Sequence, residues 1–335
     1  MSSTRRASQD AGAPRPFDGL SPERVIGAVE TVGLPCDGRV LALGSYENRV
    51  YQVGRDDDEP VVVKFYRPGR WSDAAILEEH AFSLELAAAE VPVVAPLLVD
   101  GQTLFSDGGF RFAIFPRRGG HWPELATSDD REWMGRFIGR MHAVAARGRF
   151  EHRPTLTMEA WAVEPARYLL GGGFVAVHVE QRFEDAVEQL LPLVERRFHD
   201  VGAYRQLRLH GDCHRGNVLW TDAGPHFVDL DDALTGPAVQ DLWMLLAGSA
   251  DEMQEQLQDM LRGYTRFASF DSRQTRLIEA LRALRLIHYN AWLARRWTDP
   301  AFPAAFPWFA EAVHWERLTR DLIEQAERLE ATTYL

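Results

Sequence analysis

The chain concentrates its polar chemistry in two nearby stretches, HGDCHRGN at residues 210–217 and FVDLDD at residues 227–232. Four residues separate Asp212 from Asn217, and a short strand-like run with a turn leads from there to Asp229. Phosphoryl transfer needs a carboxylate near the attacking hydroxyl, an amide and a second carboxylate that hold Mg²⁺, and a lysine on the nucleotide phosphates. The two stretches supply the first three of these groups.

Lys64 can supply the fourth group, because it is the only lysine among the 37 Lys and Arg residues of the chain. It lies in the run VVVKFY at residues 61–66, which is rich in β-branched residues and predicts a buried strand. A cation inside such a strand needs an anionic partner. Arginine cannot replace lysine where a compact point charge must fit a crowded pocket. We therefore interpret Lys64 as a functional residue.

The composition is that of a globular protein with a sizeable core, with 335 residues of which 46% are hydrophobic and 26% charged. The net charge of −12 argues against nucleic acid or an anionic membrane as partner, since both require a basic surface. Cys36 and Cys213 lack zinc-type spacing and suit a reducing compartment. The sequence has no apolar run of membrane-spanning length and no signal sequence. We expect a cytoplasmic protein and a monomer.

The composition and periodicity of the sequence change twice along the chain. Residues 1–16 are rich in Ser, Arg, Ala and Pro, which predicts a disordered tail. Residues 17–115 contain about five strand-like runs and one embedded helix between Asp73 and Glu90, and predict an N-terminal lobe. Residues 116–335 are mainly helical and predict a larger C-terminal lobe. The predicted fold class is therefore α+β. The longer predicted helices span Arg131–Ala146, Gln181–Phe198, Asp251–Phe267, Thr275–Trp297 and Trp315–Leu329.

The motifs resemble a known group of enzymes. H-G-D-x-x-x-x-N followed by D-x-D is similar to the protein-kinase signature H-R-D-x-x-x-x-N with its metal-binding Asp, and to the aminoglycoside phosphotransferase-like branch of that superfamily. The longer strings SYENRVY at 45–51, VKFYRP at 63–68 and FVDLDD at 227–232 resemble the stress response kinase A family. The resemblance covers nearly the whole chain from Phe17. It implies a bilobal protein-kinase-like fold and a bacterial cytoplasmic Ser/Thr protein kinase that uses ATP and Mg²⁺ in the stress response.

The resemblance also implies a role for each matching residue. Asp212 is expected to be the catalytic base that accepts the proton of the substrate hydroxyl. Asn217 and Asp229 are expected to bind Mg²⁺, which places Asp229 in the catalytic set as well. Lys64 is expected to reach the nucleotide phosphates. Ser45 is expected to lie over them, in a loop that lacks the full G-x-G-x-x-G.

A helix glutamate is expected to pair with Lys64. Counting back from the Val91-Pro92-Val93 segment favours Glu79 for this role, with Glu78 as the alternative. No A-P-E sequence follows Asp229, and only a few residues precede the next predicted helix. We therefore expect no long activation loop and no control by the ordering of one.

Other residues near the two stretches are expected to be structural. His210 and Asp241 are expected to brace the catalytic loop, and Asp241 also to open a helix. Cys213 is expected to be an inert thiol. For Asp231, the sequence leaves two roles open, either assisting the metal or orienting its neighbours.

Alternative functions remain open from the sequence. The first is a small-molecule kinase of the same fold, acting on an amino alcohol, a sugar or an aminoglycoside, for which an acidic surface would suit a cationic metabolite. The second is a metal-dependent hydrolase built on His210, Asp212, His214, Asp229 and Asp231. The third is a nucleotide-binding module without activity. If the protein is a kinase of proteins, autophosphorylation of the tail is expected, with acceptors Ser2, Ser3, Thr4 and Ser8.

Overall fold

The structure is a computed structural model that describes residues 15–56 and 58–331. The proposed tail acceptors lie outside the described residues. The described residues form two compact units. The first consists of residues 15–72, apart from residue 57, together with Leu97–Arg117. The second consists of Asp73–Pro96 and residues 118–331.

Five strands and two helices make up roughly the first third of the chain, and helices dominate the rest. The strands are β1 Cys36–Leu43, β2 Arg49–Arg55, β3 Asp58–Phe65, β4 Phe105–Asp107, β5 Phe110–Pro116, β6 Gln206–Leu209, β7 Val218–Thr221, β8 Gly224–Phe227 and β9 Leu234–Pro237. The helices are α1 Pro22–Thr31, α2 Asp73–Ala88, α3 Ser128–Ala145, α4 Glu164–Gly171, α5 Glu180–Val201, α6 Gln240–Trp243, α7 Ala250–Tyr264, α8 Ile278–Arg295, α9 Ala301–Ala305 and α10 Ala312–Ala331. A π-helical turn covers Glu159–Val163, and 3₁₀ turns cover Arg215–Asn217, Leu230–Asp232, Ser272–Leu277 and Pro307–Ala310. The five long helices predicted from periodicity are all present, with ends that differ by a few residues.

The first unit is built on one antiparallel sheet with the strand order β1-β2-β3-β5-β4. Lys64 lies on the central strand β3, paired with Val50 of β2 and Ala113 of β5. Its neighbours Val63 and Phe65 are fully buried in a core that includes apolar residues of α1. Because side chains alternate along a strand, Lys64 points to the opposite face of the sheet. Only 7% of Lys64 is exposed, so the expected buried strand is confirmed.

One strand of this sheet differs from the prediction. The run from Thr103 to Phe105 is predicted as a strand, whereas β4 covers Phe105–Asp107. Gly108 and Gly109 both have positive φ angles, +51° and +88°, which a two-residue hairpin turn of type I′ requires. This turn pairs Asp107 with Phe110 and thereby moves the strand toward the hairpin.

The core of the second unit forms between helices whose backbones approach closely. A Cβ on Gly135 of α3 would lie 1.9 Å from the carbonyl oxygen of Met260 on α7, and a Cβ on Gly263 would lie 1.9 Å from that of Glu132. Helices α5, α8 and α10 complete this core. Two small antiparallel ladders, β6 with β9 and β7 with β8, carry the polar stretches. Within residues 15–56 and 58–331, none of the helices combines the length and apolarity that a membrane crossing requires.

Helix α2 packs within the second unit, although the sequence pattern assigns it to the N-terminal lobe. Phe82 and Leu86 of α2 belong to the core of that unit, and Phe82 meets the ring of Phe150 edge-on at 5.4 Å. The helix also packs on α3 and on the 3₁₀ turn Leu230–Asp232. The periodicity of α2 shows an apolar face but not the elements that cover it. The lobe boundary near residue 115 stays a prediction.

Candidate active site

The stretch HGDCHRGN forms the loop between β6 and β7 and ends in the 3₁₀ turn Arg215–Asn217. Gly211 in this loop has a φ of +85°, in the region that favours glycine. A Cβ on Gly211 would lie 2.2 Å from the carbonyl oxygen of Asp232. A larger residue would separate this loop from the segment after Asp229, which explains why a glycine precedes Asp212.

A buried hydrogen-bond network holds the start of this loop. The carboxylate of Asp241, on α6, accepts the backbone N–H of His210 at 2.8 Å and that of Gly211 at 2.9 Å. Nε2 of His142 lies 3.0 Å from the same carboxylate, and Nδ1 of His142 lies 2.9 Å from the hydroxyl of Tyr264. The side chains of Asp241, His142 and Tyr264 are fully buried. The predicted bracing role of Asp241 is confirmed.

His210 fastens the same loop on its other side. Its Nε2 donates to the backbone carbonyl of Val228 at 2.9 Å, and Val228 immediately precedes Asp229. A carbonyl oxygen only accepts, so Nε2 carries the proton and cannot be a metal ligand. The structural role predicted for His210 is confirmed.

Asp212 lies between an arginine and a histidine side chain. Its Oδ1 is 2.7 Å from Nη1 of Arg285 on α8, and its Oδ2 is 3.4 Å from Nε2 of His214. Burial by itself raises the pKa of Asp212, but the hydrogen bond with His214 and the charge of Arg285 outweigh it and hold the pKa well below its ordinary value. The carboxylate is therefore ionised at neutral pH and can accept a proton. Arg285 has no counterpart in the local motif, and only the fold reveals it.

Asn217 and Asp229 come together at the ends of neighbouring strands. Nδ2 of Asn217 donates to the backbone carbonyl of Asp212 at 3.0 Å, which turns its amide oxygen away from that carbonyl. The backbone carbonyl of Asn217 accepts the N–H of Val228 at 3.0 Å. Asp229 itself has a φ of +60°, an uncommon conformation that Asp tolerates better than most residues and that clusters at functional sites.

This pair of oxygen donors fits a hard cation. No group of three or more His, Cys, Asp or Glu side chains in the described part of the chain could hold a metal. Mg²⁺ does not require one, because it keeps several waters and binds through one or two carboxylates together with substrate phosphates. The metal-dependent hydrolase would need such a cluster among His210, Asp212, His214, Asp229 and Asp231, and these described residues do not form one.

The segment after Asp229 is short. The 3₁₀ turn Leu230–Asp232 leads after one residue into β9, and α6 begins at Gln240. The absence of a long activation loop at this place, where every residue is described, is confirmed. Asp231 is buried, and its backbone carbonyl accepts a hydrogen bond from Arg153.

Helix α2 carries both glutamates that the sequence suggests as partners of the lysine. Glu79 is buried and its Oε1 accepts the hydroxyl of Ser83 at 3.0 Å. The carboxylate of Glu78 instead accepts three successive backbone N–H groups, those of residues 151, 152 and 153, at 2.5, 2.8 and 2.7 Å. Glu78 is thus committed to a loop of the second unit. The pairing of Lys64 with Glu79 stays a prediction.

Arg153 continues the link from α2 toward the candidate metal ligands. It is buried, and its guanidinium donates to the backbone carbonyls of Asp231 and Ala233, the latter at 2.8 Å. The chain of contacts therefore runs from Glu78 through residues 151–153 to the segment that follows Asp229. Sequence reasoning missed Arg153, because its acceptors are backbone atoms that leave no trace in the sequence.

The phosphate-binding residues suggested by the sequence lie in the first unit. Nζ of Lys64 is 5.5 Å from the ring centre of Tyr66. The hydroxyl of Ser45 donates to the backbone carbonyl of Asn48 at 3.1 Å, which gives the loop between β1 and β2 a fixed turn. The side chain of Asn48 accepts the N–H of Arg67 at 3.1 Å, and the guanidinium of Arg67 donates to the carbonyl of residue 47 at 2.9 Å. These contacts anchor the string SYENRVY to the string VKFYRP. The role of Ser45 toward phosphates stays a prediction.

Cys213 is fully buried beside Asp212. Burial, followed by the negative charges of Asp241 and Asp212, raises the pKa of its thiol well above the ordinary value. A protonated, inaccessible thiol is a poor nucleophile. The predicted inert role of Cys213 is confirmed.

The chain is similar to known proteins along most of its length. The phosphotransferase enzyme family, APH, matches residues 38–278. Stress response kinase A of Escherichia coli strain K12 is 46% identical over 314 residues, which are 94% of this chain and 95% of that protein. The protein named serine/threonine protein kinase RdoA in Salmonella typhimurium is 45% identical over 313 residues, 93% of this chain and 94% of that protein.

Solved structures show the same fold at low sequence identity. An amicoumacin kinase in complex with AMP-PNP and Ca²⁺ superposes with a TM-score of 0.67 at 17% identity, covering 87% of this chain and 92% of that one. A microcompartment-associated aminopropanol kinase also superposes with a TM-score of 0.67 at 17% identity, covering 92% of this chain and 97% of that one. The architecture is therefore the kinase-like α+β fold of these phosphotransferases. The chain belongs to the stress response kinase A family within the phosphotransferase enzyme family.

Proposed function

We propose that this protein transfers the γ-phosphoryl group of ATP, with Mg²⁺, to Ser or Thr hydroxyls of proteins in the bacterial cytoplasm as part of a stress response. Membership of the stress response kinase A family and the name of the Salmonella relative support a protein acceptor. The observation that carries the proposal is the environment of Asp212, whose carboxylate is kept ionised by Arg285 and His214 and whose backbone carbonyl accepts a hydrogen bond from Asn217.

Asp212 acts in this proposal as the base for the acceptor hydroxyl. One oxygen of its carboxylate contacts Arg285, and the other lies near His214 at a longer distance. The hydroxyl of a Ser or Thr would donate its hydrogen bond to this carboxylate, which orients the oxygen for attack on the γ-phosphorus. As the new P–O bond forms, the bond from the γ-phosphorus to the bridging oxygen breaks, ADP leaves, and the carboxylate accepts the proton. Asp241 and His210 fix the position of the loop and therefore of the base.

Asn217 and Asp229 would hold Mg²⁺ through their side-chain oxygens. When bound, the cation neutralises charge on the phosphates of ATP. Lys64 and Ser45 are proposed to bind phosphate oxygens, Lys64 through its ammonium group and Ser45 through its hydroxyl or the backbone of its loop. The assignment of Lys64 rests on its burial on a sheet face and on its being the sole lysine of the chain.

Incubation of the purified protein with γ-labelled ATP and Mg²⁺ tests the proposal. Label should enter Ser or Thr of the chain itself or of an added protein, without a lag, because no activation loop must first be phosphorylated. The Asp212→Asn variant should lose transfer and keep its affinity for ATP, measured by calorimetry. Asp222→Asn is the matched control, since Asp222 lies exposed in the neighbouring turn between β7 and β8, and it should remain active.

Each alternative result has a defined meaning. If label enters an amino alcohol or an aminoglycoside but never a protein, the acceptor is a small molecule. The roles assigned to the catalytic residues would then still hold. An Asp212→Asn variant with more than about a tenth of the wild-type rate would refute the assignment of the base, because loss of a general base costs about 10²–10⁴-fold.

A further inference from the structure

The loop between β1 and β2 is held through its backbone carbonyls. Nη1 of Arg49 donates to the carbonyls of Tyr46 and Asn48, at 3.1 and 3.2 Å. Nε of Arg67 donates to the carbonyl of Glu47 at 2.9 Å, and Nη2 of Arg67 lies 3.4 Å from that of Tyr46. Two guanidinium groups therefore bind the carbonyls of successive residues in the loop that is proposed to contact the nucleotide phosphates.

The aromatic ring of Phe17 supports both of these arginines. The guanidinium carbon of Arg49 lies 4.4 Å from the centre of this ring, and that of Arg67 lies 5.6 Å from it. Guanidinium groups within about 6 Å of a ring centre are attracted to the face of the ring. The Phe17 ring in turn stacks on that of Phe110 with centres 6.5 Å apart, and it packs on the core of the first unit. The two arginines are thus tied to the core through one side chain.

The direction of these carbonyls also fixes the direction of N–H groups in the loop. In a planar trans peptide, the C=O and the N–H of the same unit point in opposite directions. The carbonyls of Tyr46 and Glu47 point toward the guanidinium groups, so the N–H groups of Glu47 and Asn48 point away from them. Successive backbone N–H groups in a turn form the concavities that bind anions such as phosphate. The arginines therefore hold the loop in an orientation suited to phosphate.

Arg49 also makes it easier for Ser45 to bind a phosphate. The hydroxyl of Ser45 donates its single proton to the carbonyl of Asn48 at 3.1 Å. To donate to a phosphate oxygen, the hydroxyl must turn away from this carbonyl. Asn48 is buried, where a carbonyl that loses its donor costs stability. Because Arg49 donates to the same carbonyl, the carbonyl keeps a donor when the hydroxyl of Ser45 turns to the phosphate.

We propose that Phe17 is a positioning residue for nucleotide phosphates: its ring holds Arg49 and Arg67 against the β1–β2 loop and thereby keeps the loop in its phosphate-binding shape. The inference rests on the proposed function of this loop. Arg67 lies three residues after Lys64, the other proposed phosphate ligand, and its backbone N–H donates to the side chain of Asn48 at 3.1 Å. The same contacts therefore fix the loop relative to the strand that carries Lys64.

Calorimetric binding of nucleotides to Phe17 variants tests this role. Phe17→Ala should weaken the binding of ATP with Mg²⁺ by about tenfold, the effect of losing two cation–π contacts. Phe17→Tyr keeps an aromatic ring and should bind ATP within about twofold of the wild type. Adenosine has no phosphates, so its affinity should be the same in Phe17→Ala as in the wild type. In the kinase assay, Phe17→Ala should raise the KM for ATP and leave kcat nearly unchanged, because the loop binds the nucleotide and does not act on the acceptor.

The control is Arg24→Ala, which removes a cation from the other ring of the aromatic pair. Arg24 lies 5.8 Å from the centre of the Phe110 ring and 3.4 Å from Asp107, at the β4–β5 hairpin rather than at the β1–β2 loop. Its removal should leave the affinity for ATP unchanged. The double variant of Phe17→Ala and Arg49→Ala should lose less affinity than the product of the two single effects, because both changes release the same carbonyls. Single effects that multiply fully would overturn the inference.

Failure of the proposed function would be recognised separately. If the wild type binds no ATP, or if Ser45→Ala and Lys64→Ala both bind ATP as tightly as the wild type, the proposed phosphate site is wrong and the inference falls with it. If these two variants bind ATP weakly but Phe17→Ala binds it as tightly as the wild type, only the role of Phe17 is overturned. Equal weakening of ATP and adenosine in Phe17→Ala would also overturn that role, because the ring would then support the fold rather than the phosphates.

Discussion

Replacing Asp241 by Asn should destabilise the protein and displace the catalytic loop. The carboxylate accepts three hydrogen bonds, from the N–H groups of His210 and Gly211 and from His142. The amide offers one acceptor oxygen, and its NH₂ group would face one of these donors. One buried donor then loses its partner, which costs about 1–3 kcal/mol of stability. The remaining two hydrogen bonds lose the negative charge that strengthens them, which costs about 1 kcal/mol each.

We therefore expect Asp241→Asn to lower the free energy of unfolding by about 3–5 kcal/mol. Urea denaturation with linear extrapolation measures this change. Two of the three donors are the N–H groups of the residues directly before Asp212, so kcat should also fall, by about 10²-fold if the base moves by about 1 Å. Both effects have the same origin, the loss of a fully buried anchor.

Tyr264→Phe provides the graded control. Its hydroxyl contacts Nδ1 of His142, at the far end of the same network. The free energy of unfolding of this variant should therefore fall by only about 1 kcal/mol, and its kcat should stay near that of the wild type. If the free energy of unfolding of Asp241→Asn differed from that of the wild type by less than about 1 kcal/mol, the bracing role would be refuted, because leaving a buried donor unpaired is expected to cost more.

Three further variants probe the metal, the phosphates and the protonation of a buried histidine. Asp229→Asn should raise the Mg²⁺ concentration needed for activity and lower kcat by about 10²–10³-fold; an unchanged Mg²⁺ titration would contradict the ligand role. Lys64→Arg should be nearly as inactive as Lys64→Ala, because the planar guanidinium cannot replace a compact ammonium group; an active Lys64→Arg enzyme would show that the sole lysine is incidental. Burial, with the charges of Arg295 and Arg285, lowers the pKa of His288 from 6.5 to about 4. The unfolded chain therefore binds more protons between these values, and the free energy of unfolding should fall as the pH drops from 6.5 toward 4. His288→Phe can keep the stacking on Trp161 and should flatten the dependence of the free energy of unfolding on pH. If wild type and variant showed the same pH dependence, the shifted pKa of His288 would not be its cause.

The five long helices predicted for the second unit were predictable because each carries its own periodic signal. Five long patterns gave five helices, and the ends differ where other local bonds compete. The pattern starting at Thr275, for example, begins as the 3₁₀ turn Ser272–Leu277 before α8. Helix α2 shows the limit of this reasoning, since Phe82 and Leu86 show an apolar face without indicating that the second unit covers it.

The candidate site also contains some residues that local spacing predicts and others that only the fold reveals. Asp212 and Asn217 share one loop, so their spacing in the sequence already constrains the hydrogen bond between them. Arg285 contacts Asp212 from 73 residues away, and no local pattern marks it. Glu78 and Arg153 bind backbone atoms, which every residue possesses, so their roles depend on the fold alone.

The hold of Glu78 on three successive N–H groups also makes this loop a natural reporter of helix docking. Amide protons at residues 151–153 exchange with solvent only when their acceptor is released, so their exchange rates measure how often α2 leaves the loop. Arg153 extends the same linkage to the carbonyls after Asp229. A ligand that steadies Asp229 should therefore slow exchange at 151–153, at atoms that it does not touch.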